Sequence, residues 1–304
     1  MTSSPIRFDG RVAVITGAGG GLGRAHALLL ASRGAAVVVN DLGGSLDGVG
    51  GDADAARQVV AEIEAAGGRA IPNFDDISTP EGAQRLIDAA TQAFGRLDVL
   101  VNNAGILRDK TLHKMSPTDF EAVVRVHLLG SAWCSRAALP VMQQQQYGRI
   151  VMTTSAAGLY GNFGQGNYGA AKLGVVGLMN TLKLEGGKFG ILVNTVAPVA
   201  LTRMTEGLPF ARMLGEATPD RVAAGVAFLA SEAFTESGVI LAAGAGYFST
   251  VRLVEGQGVH LPADEVSPDA VAAHWAQISD PAGARPFGSA GDALVGAFAP
   301  GSTR

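Results

Sequence analysis

A short apolar run, Arg11 to Ile15 (RVAVI), passes directly into Thr16 to Gly23 (TGAGGGLG), where five residues of eight are glycine. Leu28, Leu29 and Leu30 then carry an apolar segment on to Ser32 with the pattern of a helix. A β-branched run without polar alternation reads as a strand buried on both faces, the parallel-sheet case. Strand, glycine turn and helix in that order form the setting of a dinucleotide-binding turn. In such a turn Gly17 allows the tight bend, Gly21 lets the backbone approach a pyrophosphate, and Gly23 permits close helix–strand packing. Gly20 and Leu22 complete it, and the free N–H groups at the helix start meet the phosphate charge. A glycine-rich loop alone could serve flexibility only; the flanking strand and helix favour a nucleotide.

The same alternation continues along the chain. Apolar runs at Ala35–Val39, Arg69–Phe74, Leu97–Val101, Ile150–Met152, Ile191–Val196 and Gly238–Phe248 read as strands. Helical patterns fall at Ala55–Ala66, from near Pro80, at Pro117–Pro140, around Asn167–Lys172 and at Val222–Ala230. This predicts an α/β fold: a single Rossmann-type, doubly wound parallel sheet flanked by helices, with ligands beyond the strands' carboxyl ends. Chains of 304 residues in this class often form one domain. We expect a nucleotide-binding and catalytic domain over residues 1–250, and a C-terminal helical extension, 251–304, packed on it. The extension shows a helix from Ser267-Pro268 to near Asp280-Pro281 and little pattern after Pro286.

Several residues at strand ends carry chemistry. Asp41 follows the second strand, where a carboxylate can accept both ribose hydroxyls and repel a 2′-phosphate. No arginine or lysine lies within two positions of it, which favours NAD over NADP; the bland alternative is a turn cap. Asp76, beside Ile77, can accept from an adenine amino group or cap the helix near Pro80. Asn103, Ala104 and Gly105 let the backbone pass close to a cofactor, although asparagine also suits a plain turn. Leu42 to Asp54 is long enough to drape over the adenosine side. Pro198 stops the sixth strand, and Thr202 opens a segment to about Ala217 that reads as a substrate lid or an irregular connection.

The stretch NYGAAK places Tyr168 and Lys172 at i and i+4, on one helical face. An ammonium near a phenol lowers the phenol's pKa from about 10, giving a proton carrier usable near neutrality. Ser155, at the end of the fifth strand, is placed to hold a substrate oxygen. By itself the spacing is commonest as a surface pair, and the company of the other motifs decides for chemistry. His127, in the long helix, is either a hydrogen-bonded structural group or part of the site.

The formal charge of −4 gives no electrostatic reason to expect nucleic acid or an anionic membrane. Hydrophobic residues at 47% allow a large core, and no run approaches the ~18 apolar residues of a membrane span. The single cysteine, Cys134, fits a reducing compartment and a buried position. No His/Cys cluster has metal-ligand spacing, so no metal is expected. The segment MTSSPIRFDG lacks an apolar signal core, and Gly301 to Arg304 is not a peroxisomal ending. We therefore expect a cytoplasmic protein.

Taken in order, TGAGGGLG at 16–23, Asp41, NNAG at 102–105, Ser155, Tyr168-x-x-x-Lys172 and Pro198 resemble the short-chain dehydrogenase/reductase family over roughly residues 8–248. The resemblance implies that Tyr168 is the general acid/base and that Ser155 orients the substrate oxygen. It further implies that Lys172 lowers the tyrosine pKa and holds the nicotinamide ribose. His127 stands where most members carry an asparagine that anchors a water relay to the lysine, so that role is not carried over. NDLGG at 40–44, NNAGILRDK at 102–110, RVHLLGS at 125–131, residues 155–174 and SPDAVAAHWAQISD at 267–280 resemble one branch. It is the (3R)-hydroxyacyl-CoA dehydrogenase branch, which includes a domain of peroxisomal multifunctional enzyme type 2 and bacterial stand-alone relatives, and it shares the histidine. The implied reaction interconverts (3R)-3-hydroxyacyl-CoA and 3-ketoacyl-CoA with NAD, in a homodimer or homotetramer. The alternatives are a hydroxysteroid (17β) or steroid-CoA dehydrogenase using the same residues, and a non-catalytic NAD-binding regulator.

Overall fold

The computed structural model of the chain describes residues 5–45, 47, 48, 50, 54–200 and 217–298. They fall into two compact units, Met1–Thr250 and Val251–Arg304, each described by itself.

In the first unit, eight strands form one sheet in the order β3-β2-β1-β4-β5-β6-β7-β8. They are β1 (Val12–Thr16), β2 (Ala36–Asn40), β3 (Arg69–Asn73), β4 (Val99–Asn102), β5 (Gly148–Thr153), β6 (Ile191–Val199), β7 (Ile240–Gly244) and β8 (Tyr247–Val251). The pairs from β3 through to β7 are parallel. Every residue of β1, β2, β4 and β5 is buried, as their near-continuous aliphatic runs require. Helices α1 (Gly21–Ser32), α2 (Asp54–Ala65), α3 (Pro80–Phe94), α4 (Pro117–Val124), α5 (Gly130–Gln145), α6 (Ala156–Tyr160), α7 (Gly166–Gly186) and α8 (Pro219–Ala230) complete the unit. Two layers, α2-α1-α8 and α3-α5-α7, cover the sheet. Strand order reverses between β1 and β4, which opens a crevice at their carboxyl ends.

Three details depart from the sequence reading. The helix expected over Pro117–Pro140 is interrupted: α4 ends at Val124, a π turn spans Arg125–Leu129, and α5 begins at Gly130. α4 is only eight residues long, too short for its apolar phase to reveal an insertion after it, and π turns collect at functional sites. Pro198 lies inside β6, which continues to Val199. The β5 ladder stops at Val196 while the β7 ladder runs from Thr195 to Val199, so past Val196 one edge of β6 has no ladder and tolerates a residue without an N–H. The run Gly238–Phe248 divides at Ala245 (φ 49°) and Gly246 (φ 83°), a two-residue turn that makes a hairpin of β7 and β8.

At the amino end of the sheet, Asp98 is fully buried and accepts from Arg11 (2.8 Å), Arg96 (2.6 and 2.7 Å) and the Val12 N–H (2.9 Å). The Tyr147 ring lies against two guanidinium groups, Arg11 at 3.9 Å and Arg149 at 4.4 Å. Arg11 also pairs with Glu232.

In the second unit, Glu255 and Arg285 form an isolated antiparallel bridge. Ser267 caps α9 (Pro268–Ala273), and after His274 the chain resumes as α10 (Trp275–Ile278). A helix, α11 (Ala290–Phe298), occupies part of the stretch read as patternless. Its signal was a cap: the Ser289 hydroxyl accepts from the Asp292 N–H at 3.1 Å. Among the described residues, no helix is long and apolar enough to cross a membrane.

Candidate active site

The crevice between β1 and β4 opens into a cavity of about 380 Å³. Its floor is the glycine turn. Gly17 has φ 63°, and a Cβ there would stand 2.7 Å from the Ala104 Cα; one on Gly23 would meet the Gly17 carbonyl at 2.1 Å. Asn103 fastens the end of β4 beneath this turn, its side-chain amide donating to the Thr16 and Gly17 carbonyls, both at 3.0 Å. The Thr16 hydroxyl accepts from the Asn103 and Ala104 N–H groups at 3.0 and 3.1 Å. α1 starts on Gly20 with no capping side chain and no acidic residue in its first turn, so its N–H groups are available to an anion.

Asp41, just past β2, accepts from the Gly19 N–H on one oxygen and the Gly43 N–H on the other, each at 2.7 Å. Asp76 sits exposed at the rim, where its carboxylate accepts from the Ser78 N–H at 2.9 Å. The cap of α3 is Thr79 rather than either aspartate, since its hydroxyl accepts from the Gly82 N–H at 3.1 Å. Ile77 is buried against the start of α5, where a Cβ on Gly130 would lie 2.4 Å from Ile77 Cδ1. A bare glycine cradle, a helix N-terminus and a carboxylate at the end of β2 fit an adenine dinucleotide.

Across the crevice, α7 presents Tyr168 and Lys172. Asn167 fixes the helix start: fully buried, it donates to the carbonyls of Arg108 (3.1 Å) and Asp119 (3.3 Å) and accepts from the Tyr168 N–H (2.8 Å). Lys172 is 3% exposed, donates to the Thr153 carbonyl at 2.7 Å, and lies 5.6 Å from the Tyr168 ring centre. Ser155 caps α6, accepting from the Ala157 N–H at 3.2 Å, and its hydroxyl lies close enough to the Tyr168 phenol to favour the phenolate.

The electrostatics depart from the expectation that Lys172 lowers the tyrosine pKa. Burial raises the Tyr168 phenol above its ordinary value; the Ser155 hydroxyl opposes the rise and the Asp109 charge adds to it. Burial also brings the Lys172 ammonium down to about 7. Lys172 therefore carries only part of its charge at neutral pH, and that charge is turned toward the Thr153 carbonyl.

His127, in the π turn, is 2% exposed. Its Nε2 lies 3.0 Å from the Ile106 N–H and 2.8 Å from the Ile106 carbonyl, and its ring meets the Tyr168 ring edge-on at 5.1 Å. Burial and then the Lys172 charge hold its pKa well below the ordinary value, so the imidazole is neutral. A Cβ on Gly105 would stand 2.2 Å from His127 Cε1.

Gly17, Gly20, Gly21, Leu22, Asp41, Asp76, Ile77, Asn103, Ala104, Gly105, His127, Tyr168, Lys172 and Pro198 all line the cavity. Gly23 supports the turn from beneath, and Ser155 reaches the site through Tyr168. Thr202 and all but the last residue of the segment to about Ala217, read as a lid or an irregular connection, lie outside the described residues. The sequence reading passed over Asn167 and Thr153, which orient α7 and Lys172; only the adjacency of Asn167 to Tyr168 hinted at the first. Among the described residues, no group of three or more His, Cys, Asp or Glu is placed to hold a metal ion.

Comparison with known proteins places the fold in a family. A short-chain type dehydrogenase/reductase of Mycobacterium tuberculosis is 50% identical over 275 residues, covering 90% of this chain and 96% of that protein. The structure of full-length peroxisomal multifunctional enzyme type 2 from Drosophila melanogaster superposes with a TM-score of 0.80 and 40% identity. That match takes in 95% of this chain and 49% of the fly chain, so the chain spans about half the fly enzyme's length. A 7α-hydroxysteroid dehydrogenase complexed with NADH and 7-oxo glycochenodeoxycholic acid gives a TM-score of 0.71 at 32% identity, over 81% of this chain and 98% of that one. The family profile described as short chain dehydrogenase matches residues 11–209. The chain belongs to the short chain dehydrogenase family and is an oxidoreductase of that family.

Proposed function

We propose that the protein interconverts (3R)-3-hydroxyacyl-CoA and 3-ketoacyl-CoA with NAD, using Tyr168 as general acid/base and acting as a homodimer or homotetramer. The observation that carries the reading is the convergence of Tyr168, with Ser155 beside its phenol, and the buried Lys172 on one wall of a cavity whose other wall is the glycine turn with Asp41. When bound, the nicotinamide accepts or supplies the hydride. The protein's part is to hold and protonate the substrate oxygen. In reduction, Tyr168 donates its phenolic proton to the oxygen developing at C3, and the Ser155 hydroxyl steadies that oxygen. In oxidation, Tyr168 takes the hydroxyl proton, with its phenolate supported by the Ser155 hydroxyl. Lys172 and Tyr168 would also hold the ribose next to the nicotinamide. His127 keeps Gly105 and Ile106 at the edge of the cavity through its contact with the Ile106 backbone.

Two features support NAD. Asp41 places a negative charge where a 2′-phosphate would sit, and no basic residue neighbours it in sequence. The hydroxyacyl-CoA substrate rests on the branch-like segments around Asp41, His127 and Tyr168 and on the likeness to the multifunctional enzyme.

The test follows NADH formation with NAD+ or NADP+, (3R)- and (3S)-3-hydroxyacyl-CoAs of several chain lengths, and a 17β-hydroxysteroid. Turnover of the (3R) thioesters with NAD+, falling about 10²–10⁴-fold in Tyr168→Phe, is expected. Turnover of the steroid alone would keep the mechanism and replace the substrate. NAD+ binding without turnover of any of them would leave a nucleotide-binding regulator.

A further inference from the structure

Asn40 and Asn73 end neighbouring strands and are register partners, β2 to β3. Both are buried, at 2% and 8% exposure. Elsewhere the β2 strand is alanine and valine, so two carboxamides side by side at the carboxyl ends of β2 and β3 need a reason: burying them is costly unless they are hydrogen-bonded. They are held by a closed set of bonds. The Asn40 amide donates to Asn73 Oδ1 at 2.8 Å and to the Asp75 carbonyl at 3.0 Å. Asn73 Oδ1 also accepts from the Asp75 N–H at 3.0 Å, while Asn73 Nδ2 donates to the Asp75 carboxylate at 2.8 Å. The other Asp75 oxygen accepts from Arg85 of α3 at 2.6 Å.

The backbones of the same two asparagines reach the remaining pieces. The Asn40 carbonyl accepts from the Ala18 N–H of the glycine turn at 2.9 Å, and the Asn73 carbonyl accepts from the Asp41 N–H at 3.0 Å. Glycine turn, Asp41 and the Asp75-Asp76-Ile77 segment come from three separate parts of the chain, and all line the cavity. The asparagine pair joins the three directly.

We propose that Asn40 and Asn73 are positioning residues for the adenosine half of the cofactor, setting Asp41 and Asp76-Ile77 at fixed spacing before the dinucleotide arrives. This rests on the dinucleotide reading of the cavity. Neither side chain needs to touch the cofactor. The contribution is preorganisation: a rim held by buried hydrogen bonds does not have to be ordered on binding. Asp75 is committed to Asn73 and Arg85, which leaves Asp76 as the carboxylate facing the ligand.

The experiment compares the parent with Asn73→Ala and Arg85→Gln. NADH affinity is measured by fluorescence titration, and inhibition constants by ADP-ribose and by reduced nicotinamide mononucleotide are measured alongside. Asn73→Ala is expected to weaken NADH and ADP-ribose by the same factor, about tenfold for the loss of its buried bonds. The mononucleotide, which has no adenosine, is expected to bind as in the parent, and the loss falls on KM for NAD+ rather than on kcat. Arg85→Gln removes a half-exposed partner and is expected to shift ADP-ribose about twofold in the same direction. Should Asn73→Ala fail to fold, Arg85→Gln decides by the same adenosine-only criterion. Equal weakening of ADP-ribose and the mononucleotide would show general loosening and overturn the proposal, as would unchanged ADP-ribose affinity. A parent that binds no NADH would instead overturn the dinucleotide reading itself.

Discussion

Gly105→Ala places a methyl group where the structure has an imidazole. The new Cβ would lie 2.2 Å from His127 Cε1, 2.9 Å from Nδ1 and 3.0 Å from Nε2. Carbon atoms in contact need about 3.5 Å, so ring or backbone must retreat by more than about 1 Å. The ring has little room to retreat: it is 2% exposed and packs edge-on with Tyr168. Movement of that size breaks the 2.8–3.0 Å contact between Nε2 and the Ile106 backbone and leaves buried polar atoms unpaired, at about 1–3 kcal/mol. For a domain of this size that corresponds to a fall in Tm of about 2–10 °C. A shift of about 1 Å at Tyr168 would reduce kcat by up to about a hundredfold. Calorimetry gives the first quantity and steady-state kinetics the second. The decisive comparison is Gly105→Ala with His127→Ala in the same chain. Removing the ring should restore part of the lost Tm, a positive coupling of about 1 kcal/mol or more. A single variant as stable and active as the parent, or a double variant no more stable than the single, would refute the steric argument.

Two further outcomes follow from the site. Asp41→Ala removes the acceptor of two backbone N–H groups and the charge opposing a 2′-phosphate; kcat/KM for NAD+ should fall about 10–100-fold relative to NADP+, and an unchanged ratio would remove Asp41 from cofactor choice. Burial brings the Lys172 ammonium from its ordinary value of 10.5 down to about 7 in the folded chain. Between those values the unfolded chain binds more protons, so stability is gained as pH rises from 7 toward 10.5 and is absent below 7. Cys134, pushed from 9.0 to about 12, acts in the opposite sense above pH 9, which makes pH 7 to 9 the readable window. Urea unfolding there should show a rise of about 1–2 kcal/mol that Lys172→Met flattens; an equal slope in both would contradict the buried ammonium.

The legible parts of the sequence were those where one residue type has one backbone consequence. Gly17 and Gly23 announce a turn that no Cβ fits, and the aliphatic runs announce strands covered on both faces. Tyr168 and Lys172 were legible because helical spacing alone brings them together. What escaped depends on neighbours distant in sequence. The π turn at Arg125–Leu129 spans five residues, too few for a pattern of apolar side chains to mark, so it shows only in the backbone. Pro198 continues its strand because the β5 ladder has already ended, a matter of relative strand length. The raised Tyr168 pKa reflects burial, which the spacing to Lys172 does not report. Asn40 and Asn73 read as ordinary strand ends until their register placed them side by side.

The two ends of the sheet face different kinds of selection. Asp98, Arg11, Arg96 and Tyr147 close the amino end with charges and a ring that do not line the cavity, so changes there act first on foldedness. At the carboxyl end the same chain must tolerate a buried ammonium, a neutral imidazole and a bare glycine turn, all of which weaken the fold in order to keep a cavity. Mutational robustness can therefore be raised at one end and spent at the other. A library that first improves packing around Asp98 would give a parent able to accept loop changes beside Tyr168 that the present chain would not survive.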